Sequence, residues 1–485
     1  MNTRAMKFGA APGRGTARMV GRGATALALA LSVVGCNWSK FSDEADKAPV
    51  RSISAPSGFD SSDFGKSILP LSSGQGSAAA FIATSINQSH MVLVKVSRDG
   101  KVSSSTVSSS QLDSTDHSAI TSLAEVPGKV PTRLLLGAPI VKDQDYGQTY
   151  TFDLPDPAQV AAGVSPVGTE GPIKLPVSAL GSNVAGMARG LAAGFVAGGD
   201  APDYIVGSDD SLAVVIDGVA SAAVTPAAAT TAVGPCEITY DNLQENRYVT
   251  RRPMLAAQLW LDPSTTSPQQ IVLGITRSSG APGKVEFLNV AAAGTLNCLA
   301  VESPATAKVQ FGHALVTGDF DGNGKLDLLV GAPPVQAFVY MNFADRPLGT
   351  VPAPIEISMP AGVDFGYAVA ALNVDGIPGD EILVSDPRAP LGGQTAAGHV
   401  LVYHLDPSTG TVGAPDEIAD LSPEANANFG YTVNALPFCS GDCPSSALPG
   451  RVLLVGAANE VFLYYRVGEI PTQMMGIAAT DVRSP

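Results

Sequence analysis

FGHALVTGDFDGNGKLDLLVGAP, residues Phe311 to Pro333, packs a strand opening, an oxygen-rich loop and a buried strand into one short unit. Near-copies recur as FGYAVAALNVDGIPGDEILVSDP from Phe365 to Pro387, and as FGYTVNALPFCSGDCPSSALPGRVLLVGAA from Phe429 to Ala458. Weaker copies lie upstream. One opens at Phe64-Gly65 and continues into MVLVKVS from Met91; another runs from His117 to a Gly137-Ala138-Pro139 end. VAGMARGLAAGFVAGGDAPDYIVGS, ending at Ser208, and RPMLAAQLWLDPSTTSPQQIVLGI, ending at Ile275, keep the small-residue first strand and the aliphatic-glycine second strand. The chain therefore reads as seven units with a period of roughly fifty to seventy residues, and a period of that length decides the fold before any local reading does.

Each unit has one grammar: a short strand of small residues, a polar loop, an apolar run ending in Gly, and an aliphatic-aromatic alternation. Examples of the last are QAFVYMNF from Gln336, GHVLVYHL from Gly398 and EVFLYYRV from Glu460. Short β-branched and aromatic runs bounded by Gly, Pro, Asp and Asn predict strands, and no long segment sustains helical spacing. The units resemble the FG-GAP repeats of the integrin alpha-subunit head, where each repeat is one blade of a β-propeller. The resemblance implies an all-β, seven-bladed β-propeller of FG-GAP type. Radial repetition of small sheets also spares an all-β chain long open edges. A β-sandwich of similar short strands is the competing architecture, although sandwiches rarely show this period.

Closure of the ring is argued from the chain ends. APIEISMPAGVD from Ala353 and APDEIADLSPEANAN from Ala414 each precede an FG and form the outer strand leading into the next unit. The same pattern stands at Ala48 to Asp63, APVRSISAPSGFDSSD, with no unit before it. Its expected place is the edge of the last blade, which it completes. The propeller is accordingly bounded at residues 48–467, with 468–485 left as a C-terminal tail.

Residues 1–35 carry Arg4, Lys7, Arg14, Arg18 and Arg22 with no acid, followed by the apolar run ATALALALSVVG. This is the pattern of an export signal, too short to remain as a spanning helix. Val33-Val34-Gly35-Cys36 resembles a bacterial lipobox, which implies cleavage before Cys36 and its lipidation; ordinary signal cleavage beside an incidental cysteine is the alternative. Residues 36–47 then serve as a lipid-anchored tether, placing the protein on the bacterial cell envelope, at the outer membrane or cell surface. Without the five basic residues of the leader, 24 basic residues face 44 acidic ones, a net charge near −20. That balance argues against nucleic acid as a partner and favours attraction to cations. Apart from Cys36 four cysteines remain, and export into an oxidising compartment makes two disulfides the default. The expected pairs are Cys236 with Cys298 and Cys439 with Cys443. The second pair falls where the Phe311 repeat has its polar loop, so a staple there would replace a metal. Zinc on Cys439 and Cys443 is the competing reading, weak without a nearby histidine.

The polar loop of the Phe311 repeat is Asp319-Phe320-Asp321-Gly322-Asn323-Gly324-Lys325-Leu326-Asp327. Side-chain oxygens at alternating positions converge on one side of a tight turn, and the glycines permit left-handed backbone. Asp319, Asp321, Asn323, the Lys325 carbonyl and Asp327 can supply the oxygens that Ca²⁺ takes. The loop resembles the Asp-x-Asp-x-Asn-Gly-x-x-Asp loops of FG-GAP blades; it lies between strands and lacks the twelfth-position Glu of an EF-hand. The alternative is an Asp/Asn/Gly hairpin that never holds metal. A second, weaker site is expected from Asn373, Asp375 and Asp380, read with one residue fewer across the loop. Calcium in either place would be structural.

Motifs for catalysis are lacking. There is no Gly-x-Ser-x-Gly, no His-Glu-x-x-His and no phosphate-cradling glycine loop, and His90, His117, His313, His399 and His404 are scattered. His399 and His404, five apart on a predicted strand, would face opposite sides and share no metal. The sequence therefore predicts a calcium-stabilised, envelope-anchored, monomeric propeller that binds protein or glycan partners. An envelope enzyme, such as a polysaccharide lyase or hydrolase working from propeller loops, is the alternative, and a structural part of a surface assembly is another.

Overall fold

In the computed structural model, the described residues are 50–56, 64–71, 78–84, 91–97, 102–107, 122–129, 132–138, 148–154, 173–174, 190–196, 201–207, 212–215, 254–259, 270–276, 282–290, 296–302, 304, 306–307, 310–343, 353–374, 377–420, 422–437 and 451–464. All regular structure among them is β. No helix there is long and apolar enough to cross a membrane. The leader, Cys36, the 36–47 tether, Cys236, Cys439, Cys443, Asp375 and the 468–485 tail lie outside the described residues, as does the side chain of Cys298.

The strands assemble into antiparallel meanders that follow the repeats. The first sheet is Ser67–Leu71, Ala78–Thr84, Met91–Ser97 and Val102–Val107; the second is Ser122–Val126, Thr132–Ala138, Gln148–Leu154 and Ile173–Lys174. The third comprises Gly190–Gly194, Asp203–Gly207 and Leu212–Val215, and the fourth Met254–Leu259, Gln270–Ile275, Lys284–Val290 and Leu296–Glu302. Ala314–Gly318, Asp327–Ala332, Gln336–Tyr340 and Ile355–Ser358 make the fifth, and Val369–Leu372, Glu381–Asp386, His399–Tyr403 and Asp416–Ile418 the sixth. Thr432–Pro437, Arg451–Gly456 and Glu460–Tyr464 begin the seventh, and its outer edge is Val50–Ser54 from the start of the chain. That strand pairs antiparallel with Glu460–Tyr464, Val50 opposite Tyr464 and Ser54 opposite Glu460. The expected pairing of the N-terminal segment with the last repeat is therefore present.

The second and third strands of the fifth and sixth sheets are buried on both faces, which is why they carry nearly continuous apolar runs. In the first sheet Phe81, Ala83, Val92 and Val94 pack against Leu436, Val452, Leu454 and Leu463 of the seventh. Their neighbours Ala80, Ile82, Met91 and Leu93 pack against Leu134, Leu136, Tyr150 and Phe152 of the second. The period-two alternation of a strand thus shares its side chains between two neighbouring sheets. First strands lie beside first strands in chain order, and that of the seventh sheet also lies beside that of the first.

The Phe-Gly pair makes the joint between sheets. Phe64, Phe311, Phe365 and Phe429 are fully buried, each in the wedge between its own sheet and the preceding one. Burying a Phe ring contributes roughly 2–3 kcal/mol by area. The glycine that follows has φ of +88° to +95° in all four repeats, a conformation that suits residues without a Cβ. It also lies on the backbone of the sheet before. A Cβ on Gly312 would stand 2.7 Å from the Lys284 carbonyl oxygen, and one on Gly65 would stand 2.5 Å from that of Glu460 and 2.7 Å from that of Ala457. The first repeat therefore seats on the seventh sheet as the fifth repeat seats on the fourth.

Candidate metal centre

The loop from Asp319 to Asp327 joins the first two strands of the fifth sheet, with Gly318 opposite Asp327 in register. Phe320 is buried in the core shared with the sixth sheet and pins the loop, which leaves Asp319 and Asp321 turned the other way. Gly322 and Gly324 take φ of +70° and +81°, the left-handed turns that fold the loop back on itself. Amide hydrogens then organise the carboxylates. Asp319 accepts from the N–H groups of Asn323 (2.9 Å) and Gly324 (2.8 Å), and Asp321 accepts from the N–H (3.1 Å) and side-chain amide (2.8 Å) of Asn323. The side-chain Oδ1 of Asn323 accepts the Lys325 N–H at 2.8 Å.

Asp327 is the buried member of the group. It is fully enclosed and accepts N–H donors from Phe320 (2.8 Å) and Asn342 (2.6 Å). One carboxylate oxygen each from Asp319, Asp321 and Asp327 can be chosen so that all three lie within 4.8 Å of one another. Burial pushes the Asp327 carboxyl up to about 6 against the pull of the Asn342 and Phe320 N–H groups, and the neighbouring Asp321 and Asp319 charges push the same way. Three converging carboxylates, one of them buried, are a donor set that suits a hard, oxygen-seeking cation. Asn342, held at φ +50° and bonded to the Asn323 side chain at 3.0 Å, completes the wall. Sequence reasoning missed it because it arrives from the far end of the third strand, and nothing local to the loop announces it.

The corresponding loop of the sixth sheet is built differently. Leu372 is opposite Glu381 in register, as Gly318 is opposite Asp327. Glu381 accepts the Val374 N–H at 2.6 Å, repeating the bond from Phe320 to Asp327. The two loops therefore have equal length, and Glu381 rather than Asp380 stands in the place of Asp327. The missing residue expected from sequence does not exist, because the adjacent acids Asp380 and Glu381 offer two alignments and only the ladder chooses between them. Asn373 turns its amide inward, donating to the carbonyls of Ile377 and Gly379. The Asp380 carboxylate accepts the Asp319 N–H of the fifth sheet at 3.1 Å. Near Glu381 stands His404, its Nδ1 at 3.3 Å, with its Nε2 3.6 Å from Asp416. His399 bonds to Glu417 at 2.7 Å, so the two histidines have separate partners.

Comparison with known proteins agrees with this geometry. Residues 311–340 match the FG-GAP repeat family. Those residues are the first three strands of the fifth sheet together with the loop from Asp319 to Asp327. The chain is similar to integrin alpha-IIb of Mus musculus, 30% identical over 224 residues, which is 42% of this chain and 20% of that protein. It is also similar to integrin alpha-IIb of Homo sapiens, 30% identical over 173 residues, covering 32% of this chain and 15% of that protein. The chain thus spans a fifth or less of the length of these relatives. FG-GAP repeats are propeller-type elements, and the described strands of this chain are an all-β setting for the matched one.

Proposed function

We propose that this chain is a seven-bladed propeller, closed by its own N-terminal strand and stabilised by calcium, that acts as an envelope-anchored binding module for protein or glycan partners. Closure is supported by the equivalence of joints: Gly65 seats on the seventh sheet as Gly366 seats on the fifth. Calcium is supported by the Asp319, Asp321 and Asp327 cluster. Anchoring rests on the leader and Cys36, and Cys36→Ser is expected to release the protein into the soluble fraction.

The observation that carries the binding reading lies at the opposite end of the first strands from the cation loop. The residue two places after each Phe of the FG pairs forms an arc. His313 and Tyr367 have ring centroids 4.7 Å apart, Tyr367 and Tyr431 4.9 Å apart, and the Lys66 ammonium lies 5.3 Å from the centroid of Tyr431. All four are half-buried. Aromatic faces with a cation in an acidic protein form a preorganised contact patch, cheap to order because rings have few torsions. The test is binding of the full-length protein to an array of envelope glycans and to envelope extract, against a Tyr367→Ala/Tyr431→Ala double variant. The variant is expected to lose the partner that the wild type retains; equal retention sinks this face as the contact site. The same His–Tyr arc favours a second reading, an envelope polysaccharide lyase or hydrolase. Polysaccharide cleavage by the wild type that is lost in His313→Ala would support it.

A further inference from the structure

We propose that Asp380, on the sixth sheet, is the positioning residue for the cation loop of the fifth; the inference rests on reading Asp319 to Asp327 as a cation site. The Asp380 N–H donates to the Asp319 carbonyl oxygen at 2.7 Å, and the Asp380 carboxylate accepts the Asp319 N–H at 3.1 Å. One residue of the neighbouring sheet therefore fixes both backbone groups of the first ligand. With those two groups held, the direction of the Asp319 Cα–Cβ bond is set, and so is where its carboxylate enters the cluster.

The rest of the contact is equally close. A Cβ on Gly322 would stand 2.6 Å from the Pro378 carbonyl oxygen, and one on Gly318 would stand 2.6 Å from the Cβ of Ala371 and 3.2 Å from the Asp380 carboxylate. Gly379, at φ +122°, faces the Phe320 carbonyl at 3.3 Å by the same measure. The 319–324 and 377–380 segments thus meet backbone to backbone, with small residues where side chains would hold them apart. A cation that orders one segment must order the other, and by linkage whatever loosens the second weakens binding to the first. The carboxylate of Asp380 thus serves the neighbouring loop. This accounts for an acid at a position whose ladder counterpart in the fifth sheet is Leu326.

The experiment is calorimetric titration of the full-length protein with Ca²⁺, wild type against Asp380→Ala, Asp380→Asn and Asp321→Ala, with circular dichroism to confirm folding. Loss of an outer-shell partner typically costs 10- to 100-fold in metal affinity, so Asp380→Ala is expected to raise Kd about tenfold. Asp380→Asn keeps an oxygen that can accept the Asp319 N–H and is expected to stay within roughly threefold of wild type, since a solvent-screened charge alone is worth little. Asp321→Ala should abolish binding. The second readout needs no variant: Ca²⁺ is expected to slow amide hydrogen exchange in residues 377–381 of the wild type. Wild-type affinity in Asp380→Ala, or exchange in 377–381 indifferent to Ca²⁺, overturns the positioning role and leaves the cation site standing. A wild type that binds no Ca²⁺ overturns the site and the inference together.

Discussion

The second and fifth sheets solve the same local problem with opposite charges. Counting back from the glycine one residue before the end of each second strand, Gly137 opposite Ser122 and Gly331 opposite Ala314, the register brings Arg133 to the place of Asp327. Arg133 grips Asp153 of the adjacent strand through two bonds of 2.5 and 2.7 Å, and the carboxylate holds its guanidinium far above the ordinary arginine range. Here the positive charge is covalently built in. In the fifth sheet the same place holds a buried carboxylate among other carboxylates, the site of the proposed cation. The sixth sheet is intermediate, with Glu381 at that place and the ionisable His404 beside it. One position therefore distinguishes the three sheet ends: an arginine paired with Asp153, a carboxylate cluster, and a glutamate beside a histidine.

The strongest way to break the comparison is Arg133→Ala. It leaves Asp153, with 9% of its side chain exposed, as an enclosed charge without its partner. Removing one member of such a pair costs about 3 kcal/mol. Unfolding in urea should show that loss equally with calcium and with chelator, whereas a loss seen only with calcium would mean that the second sheet is not self-sufficient. The fifth sheet should respond the other way. At free Ca²⁺ tenfold above Kd, the proposed cation stabilises the native state by about 1.4 kcal/mol, and Asp321→Ala should abolish the difference between calcium and chelator. Coincident wild-type unfolding curves in the two conditions would reject the cation.

The pH dependence of the chelated protein sharpens the contrast further. Asp327 is pushed up to about 6 from an ordinary value of 3.8, so the native state binds its proton more tightly than the unfolded chain does. Stability from this group is fully present below the unfolded value and is lost as pH rises through about 6. Chelated wild type should therefore gain stability between pH 7 and 5 relative to Asp327→Asn, and calcium affinity should fall over the same interval because proton and cation compete. An identical pH response in Asp327→Asn would assign the effect to other groups. No such step is expected at the second sheet, where Arg133 remains charged throughout.

What could be read from the sequence follows from what is local. Phe311-Gly312, the glycine turns at Gly322 and Gly324, and the alternating acids of the fifth loop all declare themselves within ten or so residues, since each depends on backbone conformation and short-range spacing. The N-terminal strand was also legible, because its composition repeats that of Ala353 to Asp364 and Ala414 to Asn428. Arg133 was not, for its meaning lies in a ladder position that only the pairing with Ser122–Val126 defines. The roles of Asp380 and Glu381 were hidden for a related reason. Two neighbouring acids differ by one residue, and a one-residue shift sends a side chain to the other face of its strand. Asn342 and the His313–Tyr367–Tyr431 arc depend on contacts between distant segments, which no window along the chain contains.

The smallest expected effect is a conversion of the sixth loop towards the fifth. With the equal-length alignment, Asn373 corresponds to Asp319 and Ile377 to Asn323, so Asn373→Asp/Ile377→Asn would give the loop the same acid and amide pattern around Asp375 and Glu381. Ile377 is 64% exposed, so its replacement removes little buried surface. Asn373 is the costly change, because its amide donates to the carbonyls of Ile377 and Gly379 and a carboxylate would face those same acceptors. Losing such bonds costs about 1 kcal/mol, which the double variant should show in chelator. Calcium should restore it through a second, weaker binding event in titration, because Asp380 of this loop is already engaged by its neighbour. A variant that stays destabilised in calcium and shows one binding event would mean that the proline at 378, where the fifth loop has Gly324, forbids the turn that the ligands require.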